Sequence, residues 1–320
     1  MKLQQPVMRS LLPQLLKESE TAMEHHNYQR AIDILQRAER LAPHDPVILL
    51  DLGRSHGMLY DYAAAERFFE KAIRVSGWKP ASFLAAGLHC QAFSRHEMAG
   101  HYFERTLRKN GASTEALVQL ATICERQNRL EEAADYVDRT LSLDGTCAAA
   151  LLLKAKLERH GGQLEAAEKI LRLLVGKPNP DTWTHAHSWY ELGGVLDRQR
   201  RYDEAMAAFL EAKALMQPTA EMRKAELQKS QERVKKNAEL ISAEVLQRWF
   251  NAGSELTPPY HLAVLCGHPR SGTTLLEQVL DAHPGIVSAE ETMIFQNVAY
   301  NPLTRGFPPE TVSLLPVLET

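Results

Sequence analysis

The sequence predicts a mainly α-helical chain: a solenoid of about six helix pairs over residues 1–217, followed by the first strand, loop and helix of an α/β domain. Two observations predict it. Similar residues recur every 34 positions in the first two thirds of the chain, and this pattern stops before a short apolar run and a glycine-containing loop. The 320 residues are 44% hydrophobic and 24% charged, which is ordinary globular composition and long enough for two domains.

The repeat is carried by several series of residues in one register. The first series is Tyr28, Tyr62, His96, Leu130 and Leu164, and the second, three residues later, is Ala31, Ala65, Ala99, Ala133 and Ala167. A sixth unit carries Tyr202 and Ala205. Half a repeat earlier, a small residue ends each of "LLDLG" (49–53) and "WYELG" (189–193), where it lets two helices approach closely. The first unit, with Pro13 and Ser19, departs most from the pattern and is expected to be a cap.

This pattern resembles the tetratricopeptide repeat family over about residues 10–217. The resemblance implies a right-handed stack of helix pairs whose concave groove, lined by the first helix of each pair, holds a protein or peptide. The groove is expected to present Arg54, Arg126, Lys156, Arg159, His187, Tyr190 and Arg198. This mildly basic lining suits an acidic or tyrosine-bearing peptide; simple solvated polar positions are the alternative. Asp51, Ala85, Gln119, Leu153 and Glu191 replace the asparagine of chaperone-tail-binding members, so no carboxylate clamp is expected.

Residues 218–250 are expected to form one long amphipathic helix that closes the end of the solenoid and links it to the next domain. Its apolar stripe is formed by Met222, Val234, Ile241, Val245 and Trp249. A charged coiled-coil dimer is the alternative interpretation.

The segment "HLAVLCGHPRSGTTLLEQVLDAHP" (261–284) predicts a buried strand, a loop and a helix. Backbone N–H groups and the positive end of the helix dipole meet at such a loop, so an oxyanion binds there. The spacing from Gly267 to Gly272 matches a nucleotide-binding loop, but Thr273 stands where that motif requires lysine. A P-loop NTPase is therefore the weaker alternative. Arg270 supplies the positive charge instead, and its planar fork holds two oxygens of a phosphate or sulfuryl group.

The stretch "PRSGTTLLEQVLDAHP" (269–284), with "SAEET" (288–292) after it, resembles the 5'-phosphosulfate loop of sulfotransferases that use 3'-phosphoadenosine 5'-phosphosulfate (PAPS). It is most similar to the tyrosylprotein sulfotransferase branch. The resemblance implies that residues 251–320 are the N-terminal part of an α/β P-loop-like sulfotransferase domain. It assigns Arg270, Ser271, Gly272, Thr273 and Thr274 to PAPS binding, Arg270 also to catalysis, and Glu291 to the general base. It implies no metal. Solvated surface positions are the alternative for Glu290 and Glu291.

The expected function is transfer of a sulfuryl group from PAPS to a hydroxyl acceptor, with a protein tyrosine presented by the repeats as one candidate. A non-catalytic repeat scaffold that carries an incomplete sulfotransferase remnant is the alternative, because residues 251–320 show no later strand–helix unit. The sequence leaves open whether the chain is a fragment or a natural truncation.

Several function classes are disfavoured. A formal net charge of −3 argues against a nucleic-acid surface, and no stretch has the length of a signal peptide or membrane span, so a cytoplasmic location without a membrane partner is expected. His185 and His187 are two apart, and helical metal ligands need a spacing of four. The cysteines Cys90, Cys124, Cys147 and Cys266 are scattered; the first three are expected to pack on helices. The oligomeric state is left open.

Overall fold

The computed structural model describes residues 5–176, 181–254, 265, 267 and 271–288. The residues described form fourteen helices and, within those ranges, no strand. The chain divides into two compact units, Met1–Lys224 and Ala225–Thr320.

The first unit contains the six predicted helix pairs, which confirms the repeat. The helices of these pairs are α1 (Gln5–Glu24) and α2 (Tyr28–Leu41), α3 (Pro46–Met58) and α4 (Tyr62–Val75), α5 (Pro80–Ala92) and α6 (His96–Lys109), α7 (Thr114–Arg126) and α8 (Leu130–Leu143), α9 (Ala148–His160) and α10 (Leu164–Val175), α11 (Thr182–Arg198) and α12 (Tyr202–Leu240).

The turn inside each pair is made by a residue with left-handed backbone. These residues occupy one register position: His26, Tyr60, Ser94, Asn128, Gly162 and Arg200. A side-chain cap follows in the first two pairs, where Asn27 accepts from the N–H of Arg30 and Asp61 accepts from the N–H of Ala64. Between pairs, Pro46 and Pro80 occupy the first turn of a helix, where no backbone N–H is needed.

Close packing of the two helices in a pair depends on a small residue opposite an aromatic ring. A Cβ added at Gly53 would lie 2.4 Å from Phe69, and one added at Gly193 would lie 2.6 Å from Phe209. The repeated alanines of the second helices, such as Ala31 and Ala65, are fully buried. Both expectations about the repeat core are therefore confirmed.

The first helices lie on the inner side of the solenoid. Helix α3 contacts α5, α7 contacts α9, and α9 contacts α11, whereas the second helices from α2 to α10 contact one another much less. A stack of repeats whose helices lie closer together on one side curves toward that side. The first helices therefore line the concave face, as the repeat pattern predicts.

The first pair, which the sequence predicts to be a cap, packs against the second pair. Leu15 is buried, and Ser19 is 1% exposed, with its hydroxyl donating to the carbonyl of Leu16. Pro13 lies inside α1. The pair therefore contributes to the hydrophobic core despite its unusual sequence.

The end of the repeats differs from the predicted linker helix over 218–250. Helix α12 continues without interruption from the sixth pair through Pro218 to Leu240, and a separate helix, α13, spans Ala243–Ser254. Proline removes one helical hydrogen bond, but it would free the carbonyl of Ala214, an exposed residue that water can reach. Pro218 therefore does not separate helices, contrary to the prediction.

In the second unit, helix α14 spans Thr273–Asp281. The predicted strand at 261–266 lies outside the described residues except for Leu265, which is not in a strand. None of the helices described is both long enough and apolar enough to cross a membrane.

Candidate functional site

Three ionisable groups lie together at the N-terminal half of the concave groove. Asp51 and Arg54 are on α3, His89 is on α5, and all three are half-buried. Burial raises the pKa of Asp51 to about 6, an increase that Arg54 opposes and that Glu20 and Asp45 reinforce. Burial, together with the charge of Arg54, lowers the pKa of His89 to about 4. At neutral pH the cluster therefore holds one carboxylate, one guanidinium and a neutral imidazole.

Arg54 is the notable member of this cluster. Its Nε is buried and has no hydrogen-bond partner, and no ion pair joins Arg54 to another described residue. No described carboxylate therefore compensates the charge of Arg54, which makes Arg54 a candidate for contact with an anionic group in the groove.

The C-terminal half of the groove is cross-linked by polar contacts between consecutive first helices. Gln91 donates to Gln119 at 3.0 Å, from α5 to α7. The ammonium of Lys156 on α9 lies 2.8 Å from the carboxylate of Glu125 on α7. Arg159 lies 3.1 Å from Glu191 on α11. We call these three contacts the groove ladder.

The groove ladder corrects the predicted basic lining. Lys156 and Arg159 are each paired with a carboxylate of the neighbouring helix, so their charges are compensated within the protein. Arg198 is exposed and donates to the backbone carbonyl of Arg159. Among the predicted lining cations, only Arg54 and the exposed Arg126 have neither an ion pair nor a hydrogen bond with a described residue. Arg54, Arg126 and Arg198 are therefore the predicted lining cations whose charges no described carboxylate compensates.

His187 and Tyr190 lie at the end of the groove. They line an open, mostly apolar depression of about 600 Å³ together with Phe209, Met216 and Lys213 of α12. The ring of His187 packs on Trp183, with 4.0 Å between ring centroids, and its Nδ1 lies 3.0 Å from the carbonyl of that residue. Within the described ranges, no group of three or more His, Cys, Asp or Glu residues is arranged to hold a metal ion.

A second concavity, of about 380 Å³, lies between α6, α7 and α8 and was not predicted. It is lined by His96, His101, Glu104 and Cys124, among others, and the Nδ1 of His96 is buried without a partner. Burial raises the pKa of Cys124, so this thiol is not activated as a nucleophile. The available sequence signal was Gly100, a glycine inside a helix, beside which an added Cβ would meet no atom within 4 Å.

The cysteines behave as packing residues with one exception. Cys90 and Cys124 are buried, and burial raises the pKa of Cys90 to about 12. Cys147 precedes α9 and is half-buried, so the expected helical position is wrong for this residue. Cys266 lies outside the described residues.

The predicted anion loop is tightly folded where the structure describes it. A Cβ added at Gly267 would lie 2.6 Å from both the hydroxyl of Ser271 and the methyl group of Thr273. Gly272 has φ 87°, a backbone conformation that favours glycine, and it begins α14. No described side chain caps the start of this helix. The first turn of α14 therefore has N–H groups oriented toward the loop.

Some of the remaining predicted site residues are described by the structure and others are not. Ser271 and Thr274 are exposed at the start of α14, beside Gly272 and Thr273. Arg270, Glu290 and Glu291 lie outside the described residues, so their assigned roles stay predictions. Helix α14 has no buried residue, and its apolar side chains Leu275 and Val279 are exposed.

Downstream of α14, the chain turns back on the helix end. The N–H of Gly285 donates to the ring of His283, and the N–H of Ser288 donates to the carboxylate of Asp281 at 2.9 Å. His283 is thus a turn residue that follows the end of α14.

Two family models match this chain. The Tetratricopeptide repeat model matches residues 16–78, 84–146 and 184–218, which together make up just over half of the chain. The Sulfotransferase family model matches residues 263–310 only.

Individual relatives are distant. An uncharacterized protein of Aquifex aeolicus is 27% identical over 123 residues, which are 38% of this chain and 15% of that protein, so the chain spans only a small part of its length. A solved structure of PilF from Pseudomonas aeruginosa is 14% identical, with a TM-score of 0.48 over 69% of this chain and 99% of that chain.

A tetratricopeptide repeat protein from Parabacteroides merdae is 16% identical, with a TM-score of 0.42 over 64% of this chain and 93% of that chain. The repeat register, the six helix pairs and the extent of the matching family model lead to one conclusion: this chain belongs to the tetratricopeptide repeat family.

Proposed function

We propose that the repeats hold a segment of a protein partner in the concave groove, and that the segment around residues 263–310 transfers a sulfuryl group from PAPS to a hydroxyl of that partner. The observation that carries the first part is the unpaired, half-buried Arg54 in a groove whose other inner cations are mostly compensated. The short match to the Sulfotransferase family supports the second part.

The proposed groove ligand is an acidic segment that contains a tyrosine. A carboxylate of the ligand would pair with Arg54 and form charge-assisted hydrogen bonds, which are stronger than neutral ones. The apolar depression beside His187 and Tyr190 suits an aromatic side chain of the same segment. The partner is thus recognised by charge at one end of the groove and by apolar contact at the other.

The proposed donor site begins at the start of α14. PAPS, when bound, supplies an electrophilic sulfur and an adenosine bisphosphate leaving group. Gly272, with its left-handed backbone, and the uncapped first turn of α14 suit an anionic group at this point. Ser271, Thr273 and Thr274 would add hydroxyl and N–H donors, and Arg270 would hold two oxygens and stabilise negative charge.

Glu291 is the proposed general base. A carboxylate at this position would take the proton of the acceptor hydroxyl as its oxygen attacks. No metal is needed in this scheme, because alignment and stabilisation of spread negative charge supply the catalysis. A tyrosine hydroxyl is the acceptor to test first.

The test separates the two parts of the proposal. Incubation of the chain with radiolabelled PAPS and an acidic tyrosine peptide is expected to label the peptide, and Arg270→Ala and Glu291→Gln are expected to abolish labelling. Glu277→Gln on α14 and Arg223→Ala on α12 are matched controls that should retain it. If Glu291→Gln retains full activity, that residue is not the base.

The alternative is a non-catalytic repeat scaffold, which the groove geometry alone supports. It predicts peptide binding without PAPS binding or label transfer. Peptide binding is measured by fluorescence anisotropy with the labelled acidic peptide, comparing Arg54→Ala with Arg67→Ala, an exposed position on the second helix of the same pair. Loss of binding in the first variant alone supports the groove; equal binding in both variants removes Arg54 from the site.

A further inference from the structure

The exposed face of α12 in the sixth repeat differs from the same face of earlier repeats. In the register of Leu210, the four preceding repeats carry the charged residues Glu70, Glu104, Asp138 and Arg172. Two of these form ion pairs with the second helix of an adjacent repeat, Glu70 with Arg105 and Arg172 with Glu204. Leu210 is instead 57% exposed, and Met206, one turn earlier, is 60% exposed. The last repeat is therefore apolar where the others are charged.

Six exposed residues form this face of α12. At 100° per residue, Asp203, Ala207, Leu210 and Ala214 lie opposite the buried Ala205, Ala208 and Ala212, and Met206 and Lys213 flank them on one side. All six are exposed. The small Ala207 and Ala214 alternate with Leu210 at spacings of three and four, which is the seam spacing of paired helices. We call these six residues the α12 face.

The charges of the α12 face are complementary to those of the same face on a second, antiparallel copy of the chain. Asp203 lies near one end and Lys213 near the other, ten positions apart, or about 15 Å along the axis. Neither forms an ion pair with another described residue. When a second copy packs antiparallel, Asp203 of each chain meets Lys213 of the other, and Met206 meets Leu210. A parallel copy would bring like charges together, which is unfavourable.

We propose that the α12 face is an isologous interface through which two copies of this chain form an antiparallel, two-fold symmetric dimer. Such an interface satisfies the rule that residue i contacts residue j and j contacts i. Its apolar centre lies around Ala207 and Leu210, and its polar ends are the two Asp203–Lys213 pairs. A single helix–helix contact is small, so the dimer is expected to exchange with monomer in the micromolar range, on the order of 10 µM.

The test is sedimentation equilibrium of the full chain between about 1 and about 100 µM, where a small interface is expected to dissociate. Wild type is expected to show a monomer–dimer equilibrium. Leu210→Glu is expected to be monomeric throughout, because it places two carboxylates in the apolar centre. Leu210 is exposed, so circular dichroism should show an unchanged fold. A wild-type monomer at every concentration, or a dimer that survives Leu210→Glu, overturns the proposal.

A charge exchange tests the direction of the pairing. Asp203→Lys or Lys213→Asp alone is expected to weaken the dimer about tenfold, because like charges then meet at both ends. The double variant is expected to restore it. Glu211→Lys, with the same charge change away from the face, should leave the dimer intact. Failure of the double variant to restore association would rule out the antiparallel register.

Discussion

The two halves of the groove differ in how they use charge. On α3 and α5, Asp51, Arg54 and His89 are half-buried without an ion pair to a described residue, whereas Lys156 and Arg159 are each compensated by a carboxylate one helix away. The difference teaches that residue type alone does not indicate a binding surface. A cation that the fold already neutralises has less to offer a ligand than an unpaired one.

The packing that both halves share should give the largest effect. Gly53→Ala and Gly193→Ala each place a methyl group against a buried aromatic ring, Phe69 or Phe209, and we expect each to lower the free energy of unfolding by about 2–3 kcal/mol. Denaturant unfolding measures this.

Gly194→Ala is the matched control, because an added Cβ there meets no atom within 4 Å. In a helix interior where the added methyl group meets no clash, alanine is expected to stabilise by about 0.5–1 kcal/mol. Equal destabilisation at Gly193 and Gly194 would contradict the packing explanation.

The unpaired half should respond to pH. The pKa of Asp51 is raised to about 6 in the folded chain. The ionised carboxylate therefore lowers the free energy of unfolding once the pH exceeds the pKa that Asp51 has in the unfolded chain. Asp51→Asn is expected to leave stability unchanged below about pH 4 and to increase it by about 2 kcal/mol above pH 6. The contribution of His89 has the opposite pH dependence and cancels in the difference between variant and wild type.

Unfolding of both proteins between these pH values measures the difference. A constant difference across the range would show that Asp51 titrates as an exposed carboxylate does. Asp138→Asn, at an exposed position on a second helix, is the control for the loss of a carboxylate outside the groove.

Breaking the paired half should have a moderate effect. Glu191→Gln removes the partner of Arg159, and both side chains are mostly buried, at 13% and 20% exposure respectively. We expect a loss of about 1–2 kcal/mol, between the values for exposed and fully buried pairs. The double variant with Arg159→Met should recover part of the loss. If Glu191→Gln alone has no effect, the pair does not stabilise the solenoid.

The smallest effect is expected at Arg126, the other predicted groove cation without a partner. It is exposed, so Arg126→Ala should change stability by less than about 0.5 kcal/mol. In the peptide-binding measurement, Arg126→Ala should lower the affinity for the acidic peptide less than Arg54→Ala does. A larger effect at Arg126 would move the anion site toward α7.

The sequence predicted the repeat because its signals are local. The pairs Gly53–Phe69 and Gly193–Phe209 are each 16 residues apart, and alanines such as Ala31 follow the helical period. The groove ladder was missed because it joins residues 28 to 32 positions apart, whose meeting depends on the curvature of the stack. The boundary between the sixth repeat and the predicted helix over 218–250 was misplaced, because a proline usually ends a helix, whereas Pro218 lies inside α12 where its surroundings are exposed.

The candidate donor site was predicted in detail from one motif. At the two glycines of that motif, Gly272 has a left-handed backbone and Gly267 leaves no room for a side chain. The roles of Arg270 and Glu291 stay predictions, because a motif specifies residue types and spacing, whereas catalysis depends on distances between groups from separate elements.

The groove ladder has a mechanical consequence. Its three contacts lie on the inner side of a curved stack, so straightening the solenoid would have to stretch all of them together. The three contacts therefore resist straightening of the solenoid. Two of the three are ionic but mostly buried, so salt screens them little and the radius of the groove is expected to change little with ionic strength.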